Sequence, residues 1–327
     1  VVDEINFERF ASYRHDHRHA LGWQCLFVLP EWLRVWWQEF GGKSQRRILC
    51  ARHQEDLIGI APIMINGQQA SFIGGADVCD YLDVIVSPAK AAEFFNLLLD
   101  HFRQQRISEL DLGPVRADSA VLSGLVPISE DRGCQISLTP EDVTLELELP
   151  GTWDEYLGML KGKQRHEVKR KSRRLYEAAD INFSVVESPE EAVRKMATFF
   201  TLFKMSAPEK ENFLTERMKS YFRSQAQAMA DARMLKLFFL ELNNQPVAAS
   251  MCFDFNSTRH LYNSGFDPSF RSLSVGLMCK ILSIKDAIEK GLKKYDFLKG
   301  AETYKYRLGG KEVPLFHCKI NLQNIEY

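Results

Sequence analysis

No stretch of the chain approaches the ~18 consecutive apolar residues that a membrane span requires. The opening residues Val1-Val-Asp-Glu4 also lack the charged-then-apolar pattern of a secretory leader. Cysteine is present but never clustered: Cys25, Cys50, Cys79, Cys134, Cys252, Cys279 and Cys318 stand singly, an odd number with no C-x-x-C spacing. That argues against a disulfide framework and a zinc site, and for buried free thiols in a reducing compartment. An excess of charge is missing too, since 42 basic and 43 acidic residues leave a net charge of −1. A globally basic DNA-binding protein is thereby disfavoured, and only a local basic patch remains open. No Ser-His-Asp order and no metalloprotease motif occurs. The expectation is a cytoplasmic, metal-free protein whose 327 residues suffice for two ordinary domains.

What is there is an ordered alternation of strand and helix signals. Residues 181–187 alternate like a strand, and Ser188-Pro-Glu-Glu191 supplies an N-cap, a proline at the first helical position and a capping-box glutamate. The helix that follows places Val193, Met196, Phe200 and Phe203 on one face. A second helix fits 215–230, then strands at 234–242, 247–255 and 259–266. A helix with Leu277, Ile281, Ile284 and Ile288 on one stripe ends at Gly291, and a strand at 294–298, a short helix at 302–308 and a strand from Val313 to Leu322 close the chain. The order is β-α-α-β-β-β-α-β-α-β.

The first half repeats this outline. Leu57–Met64 occupies the place of Pro246–Met251, a helix follows from Ala91 to about Arg106, and Glu109-Leu-Asp-Leu-Gly113 parallels Tyr295–Gly300. Shared order at similar spacing predicts a duplicated α/β unit. The expected division is a first half over 1–150, a basic connecting helix over 151–180 and a second half over 181–327.

One segment has no counterpart in the first half. Arg271-Ser272-Leu273-Ser274-Val275-Gly276 runs directly into an apolar helix. Helix N-termini leave unpaired N–H groups and partial positive charge, so a small-residue loop feeding one can hold a phosphate, with Arg271 available for a charge contact. A plain helix cap is the alternative. In its position after the third strand, the segment resembles the pyrophosphate loop [QR]-x-x-G-x-[GA] of GNAT acyltransferases, with Ser274 where the middle glycine is usual. The words "YNSGFDPSFRSLSVG" (262–276), "AIEKGLKKYDFLKGAETYKYRLG" (287–309) and "KGKQRHEVKRKSRRL" (161–175) resemble the acetyltransferase family linked to cellulose and exopolysaccharide biosynthesis (the CelD/BcsL type). "FVLPEWLRVWWQEFGG", "LIGIAPIMI" and "DYLDVIV" resemble that family's first half. The family is related to the Fem-type aminoacyltransferases of peptidoglycan synthesis, which are tandem GNAT folds.

The resemblance implies a fold of tandem GNAT-like α/β halves, with mixed, mostly antiparallel sheets flanked by helices. It implies acetyl-CoA or another acyl-CoA as co-substrate, its pyrophosphate on residues 271–276 and its thioester near Ser264–Phe266. It also implies an amine on a sugar or envelope precursor as acceptor, with an acyl carrier or the polysaccharide-synthesis machinery as further partners. Tyr304 falls where such enzymes carry a tyrosine acid, with Tyr306 next, and a phenol has a proton to give to a departing thiolate. Packing against the sheet is the alternative for Tyr304. Glu302 is the candidate base or a helix-start carboxylate, and Lys305 an anion ligand or a solvated helix residue. Asp267 reads as a turn-former before Pro268.

Three further groups deserve a reading. Asp80 and Asp83 flank Tyr81 and either bind substrate or are solvated. The basic helix over 161–174 either bridges the halves or recognises a polyanion, with Arg170 and Arg174 one turn apart for a phosphate. His15-Asp-His-Arg-His19 is expected to be a solvent-exposed tract rather than a metal site. Two rival functions follow: a Fem-like transferase drawing on aminoacyl-tRNA, and a non-catalytic GNAT-fold binding protein.

Overall fold

The computed structural model describes residues 2–16 and 19–323. The chain divides into two compact units, one running to Val143 and resumed at Val313, the other Thr144–Glu312. The first unit contains β1 (Val2–Ile5), α1 (Phe7–Arg14), α2 (Pro30–Phe40), β2 (Gln45–His53), β3 (Asp56–Asn66), β4 (Gln69–Phe72), β5 (Ile85–Val86), α3 (Ala91–Gln104), β6 (Glu109–Arg116), α4 (Val126–Asp131) and the start of β7 (Gln135–Glu148). The second takes the end of β7, then α5 (Trp153–Met159), α6 (Gly162–Ala178), β8 (Ile181–Val186), α7 (Pro189–Ser206), α8 (Pro208–Phe213), α9 (Glu216–Asp231), β9 (Leu235–Leu242), β10 (Gln245–Phe255), β11 (Thr258–Phe266), α10 (Val275–Glu289), β12 (Lys294–Lys299) and α11 (Thr303–Arg307). The last strand, β13 (Lys311–Asn321), returns to the first unit.

In the first unit the strand order is β1-β2-β3-β4-β6-β13. Neighbours are antiparallel except β4 and β6, which are parallel and joined through α3. In the second unit the order is β7-β12-β11-β10-β9-β8, again antiparallel except for the parallel pair β11 and β12, joined through α10. The same topology twice is the duplication read from the sequence. The basic helix, expected to connect two halves, is α6 of the second unit, where it lies against α10 and the turn before it.

Local signals explain these elements. Ser188 Oγ accepts from the Glu191 N–H at 3.3 Å and Pro189 opens α7, whose Met196, Phe199, Phe200 and Phe203 are buried. Phe94, Phe95, Leu98, Leu99 and Phe102 give α3 a continuous apolar face. All seven cysteines are free and buried. Among the described residues no helix is long and apolar enough to cross a membrane.

Two buried charges fix the elements around the later site. Arg259, fully buried, donates to both carboxylate oxygens of Asp254 (2.7 and 2.8 Å), to Asp286 (2.7 Å) and to the Ser283 carbonyl (2.9 Å). It thereby clamps the β10–β11 hairpin onto α10, and breaking such a buried pair costs about 3–5 kcal/mol. Asp296, also buried, accepts from Thr144 Oγ1 and from the Leu298 N–H, each at 2.8 Å, and holds β12 where it bends.

Candidate active site

β11 and β12 are paired only from Thr258↔Lys294 to His260↔Asp296. Beyond this point each strand carries an extra residue. The register of β11 on β10 passes from Leu261 to Asn263 over one step of β10, leaving Tyr262 as the bulge. The register of β12 on β7 slips between Asp296 and Lys299, where Leu298 has a φ of 60°. Bulges bend strands away from their neighbours, so an open cleft edge is built into the sheet. The Ser264 carbonyl lies on that edge, accepting from Lys210 Nζ at 2.6 Å. Strand alternation puts the Phe266 N–H on the same edge.

The expected phosphate loop is a turn of 3-10 helix, Pro268–Leu273, followed by Ser274 in left-handed conformation and then α10. Asp267 accepts from Ser269 N at 2.9 Å and so forms the turn, as expected. Ser274 does not cap α10; its hydroxyl accepts from Lys171 Nζ of α6 at 3.2 Å. The first N–H groups of α10 are therefore without a side-chain cap, and Arg271 and Ser272 stand exposed beside them. Leu273 is half-buried and Val275 buried. A Cβ on Gly276 would lie 2.7 Å from Phe266 Cδ1, so the absence of a side chain there lets that ring pack on the first turn of α10.

A cavity of about 320 Å³ lies between α6, α10 and α11, lined by Lys163, Lys171, Leu277, Tyr304 and Arg307 among others. A second hollow of about 400 Å³ lies by α6 and α11, with Lys161, Tyr306 and Arg307 in its wall. Gln164 lines both, and its buried Oε1 has no hydrogen-bond partner. The cationic residues of α6 that reach the cavity are thus Lys163 and Lys171. Arg170 is tied to Glu167 by two hydrogen bonds (3.0 and 2.9 Å) and Arg174 is exposed; neither lines it.

Tyr304 faces the cavity, and its hydroxyl makes no hydrogen bond among the described residues. Burial, with the Glu302 charge in second place, pushes its pKa up, so the phenol stays protonated. Tyr306 is exposed and its hydroxyl bonds to Glu312. Glu302 is exposed and ion-paired to Lys305 Nζ at 2.8 Å. Lys305 is not the surface cation expected. At 2% exposure, its ammonium donates to the carbonyls of Leu298 (2.9 Å), Lys299 (2.6 Å) and Gly300 (3.0 Å) and staples the β12–α11 turn.

Two lysines that sequence reasoning missed enter the same region. Lys210 of α8 holds the Ser264 carbonyl, and Lys280 of α10 donates to the Gly276 carbonyl at 3.2 Å with its ammonium 5.1 Å from the Tyr304 ring centre. Burial lowers the pKa of both, that of Lys280 to about 8. A lone lysine within the apolar run Leu277–Leu282 was a signal for Lys280; Lys210, in a polar stretch, gave none.

Asp83 belongs to the first unit, where its carboxylate accepts from the N–H groups of Ala120 (2.9 Å), Val121 (3.2 Å) and Val84 (2.9 Å). It caps the segment Val121–Leu125 instead of lying in a solvated loop, and burial raises its pKa to about 6 against the pull of those bonds. Asp80 is half-buried in the same unit. His17 and Arg18 of the histidine tract lie outside the described residues, and His19 Nδ1 accepts from the Leu57 N–H at 3.3 Å. Among the described residues no group of His, Cys, Asp and Glu is placed to hold a metal ion.

Residues 162–306 match the acetyltransferase (GNAT) domain. The matched stretch lies within the second unit and contains the cleft, the turn before α10 and Tyr304. The fold is that of solved proteins of low sequence identity. A crystal structure of FemX superposes with a TM-score of 0.68 at 13% identity over 99% of this chain and 98% of that one. A conserved protein of unknown function from Bacteroides thetaiotaomicron VPI-5482 gives 0.59 at 12% over 98% and 99%. The C-terminal domain of a putative lysylphosphatidylglycerol synthetase from Agrobacterium fabrum gives 0.56 at 10% over 85% and 84%. No curated protein matches the sequence.

Proposed function

We propose that the protein is an acyl-CoA-dependent N-acyltransferase that transfers an acetyl or related acyl group to an amine on a sugar or cell-envelope precursor. The observation that carries this reading is a cavity whose wall holds both Lys171, which donates to Ser274 at the uncapped start of α10, and Tyr304 with its free hydroxyl. Pyrophosphate charge would meet α10 N–H groups, Arg271, Lys171 and Lys163, and the pantetheine arm would follow the open edge of β11. With the thioester at Ser264–Phe266, a β11 N–H would hold the oxyanion as the amine attacks directly. Tyr304 would then give its proton to the departing thiolate. All seven thiols are buried, which suits a route without a covalent enzyme intermediate. The link to cellulose or exopolysaccharide synthesis rests on the sequence words quoted above.

A second reading is aminoacyl transfer of the Fem type, favoured by the FemX likeness and by the exposed cations Lys163, Lys169, Arg173 and Arg174 of α6 with Lys161 just before it. Calorimetric titration with acetyl-CoA, wild type against Lys171→Glu, separates the two. Wild-type binding, weakened at least tenfold by the charge reversal, is expected. Absence of wild-type binding overturns the acyl-CoA reading, and equal binding by both proteins overturns the placement of the phosphates.

A further inference from the structure

The lysines drawn away from water in the second unit, Lys280 and Lys305 buried and Lys210 half-buried, fall into two classes. Lys305 shows a satisfied ammonium, with three carbonyls and the Glu302 carboxylate around it. Lys210 and Lys280 show the opposite. Each ammonium has three donors, and each bonds to a single backbone carbonyl, Ser264 for Lys210 and Gly276 for Lys280, with no carboxylate in ion-pair contact. The remaining neighbours are aromatic faces, Phe203 at 4.7 Å from Lys210 and Tyr304 at 5.1 Å from Lys280. Glu302 exerts its field on both but its contact is with Lys305, and Glu209 exerts its field on Lys210. Removing two ammonium groups from water without counter-charge is costly.

These two cations border the same strand end, and the charge of Lys210 acts on Lys280. Ser264 and Phe266 end β11, the Phe266 ring sits on Gly276, and Gly276 accepts from Lys280. Lys210 reaches the same strand end from α8. This is the position assigned above to the thioester, so the inference rests on the acyl-transfer reading. We infer that Lys210 and Lys280 form a binding site for one carboxylate, carried by either the acyl donor or the amine acceptor. A carboxylate accepts from both ammonium groups at once and supplies the counter-charge that burial lacks. An aminoacyl group, with its own ammonium, would meet like charge here, which weighs against the Fem-type donor.

The test has two arms, each comparing probes that differ by a carboxylate. Succinyl-CoA and acetyl-CoA are titrated calorimetrically for the donor arm. Muramic acid and glucosamine are titrated for the acceptor arm, with and without saturating CoA. In one arm the carboxylated probe is expected to bind at least tenfold more tightly, and the preference should collapse toward one in Lys210→Met and in Lys280→Met. Lys280→Met should melt no lower than wild type, because methionine fills the space of the stem without a buried ammonium to desolvate. Equal affinities in both arms, a preference that survives both substitutions, or a fall in the melting temperature of Lys280→Met overturns the site. If no CoA thioester binds the wild type, the acyl-CoA reading fails by itself and the amino-sugar arm still decides the carboxylate site.

Discussion

Replacing Lys305 by Met tests whether this residue is a staple or a substrate ligand. The substitution removes an ammonium that serves the carbonyls of Leu298, Lys299 and Gly300 and pairs with Glu302. Leu298 is buried, so its carbonyl would be left without a partner, at about 1–3 kcal/mol. Lys299 and Gly300 are half-buried and can be rehydrated, so each loses only about 0.5–1 kcal/mol. The pair with exposed Glu302 adds no more than ~0.5 kcal/mol. Relief of the ammonium's own desolvation offsets part of the loss. A net loss of about 3 kcal/mol is expected, and with a urea m-value of roughly 2 kcal/mol/M the midpoint should fall by about 1.5 M. Turnover should fall with it, since Tyr304 lies between Glu302 and Lys305 on the stapled turn. The reasoning is refuted by a destabilisation below ~1 kcal/mol accompanied by a large rise in the acceptor KM, because that pattern belongs to a residue that holds substrate.

Two further outcomes follow from the same geometry. Tyr304→Phe keeps the ring beside Phe297 and removes only the free hydroxyl; kcat is expected to drop about 100-fold, more than any change in KM, and undiminished thiol release would assign the proton to water or another group. Lys280 has a folded pKa of about 8 against 10.5 for the free side chain, so the unfolded chain binds more protons between these values and stability rises with pH across that window. The cost is fully present below pH 8, so Lys280→Met should be more stable than wild type by about 2–3 kcal/mol at pH 7, with the gap closing toward pH 10; a gap independent of pH would show that Lys280 is not a buried ammonium.

Much of the fold was legible because its signals are local. The Ser188-Pro189 cap, the apolar stripes of α7 and α10 and the alternation of β9 and β10 each follow from a period or a cap within a short window. The short α8 was missed because Pro208 opens it with no apolar face to mark it. The site was less legible. Gly276 makes room for the ring of Phe266, ten residues earlier on another element, a contact that no local pattern signals. Lys305 was read from its neighbours in sequence as an anion ligand or a solvated helix residue, while its environment is set by the carbonyls of a turn closed by the bend at Leu298. Arg170 and Arg174 were chosen for helical spacing. Which face of α6 turns toward α10 depends on the buried Val168 and Leu175, and that face carries Gln164 and Lys171.

The two units show why a shared topology does not give a shared site. Each has a parallel strand pair joined by a helix, β4 with β6 and β11 with β12. In the second unit the helix begins at left-handed Ser274 with no side-chain cap, next to Lys171, and the two strands part at bulges. In the first, α3 is entered through the turn Pro88–Lys90, and Asp83 holds the segment after β6 through the N–H groups of Ala120 and Val121. Gln69 of β4 donates to Glu109 of β6 at 2.7 Å, tying that strand pair together by side chains. Opening a sheet edge leaves backbone groups unpaired, and Lys210 holds one of them, the Ser264 carbonyl. The second unit thus carries the exposed backbone and the uncompensated charge that a ligand would satisfy, whereas the corresponding region of the first is closed by its own hydrogen bonds.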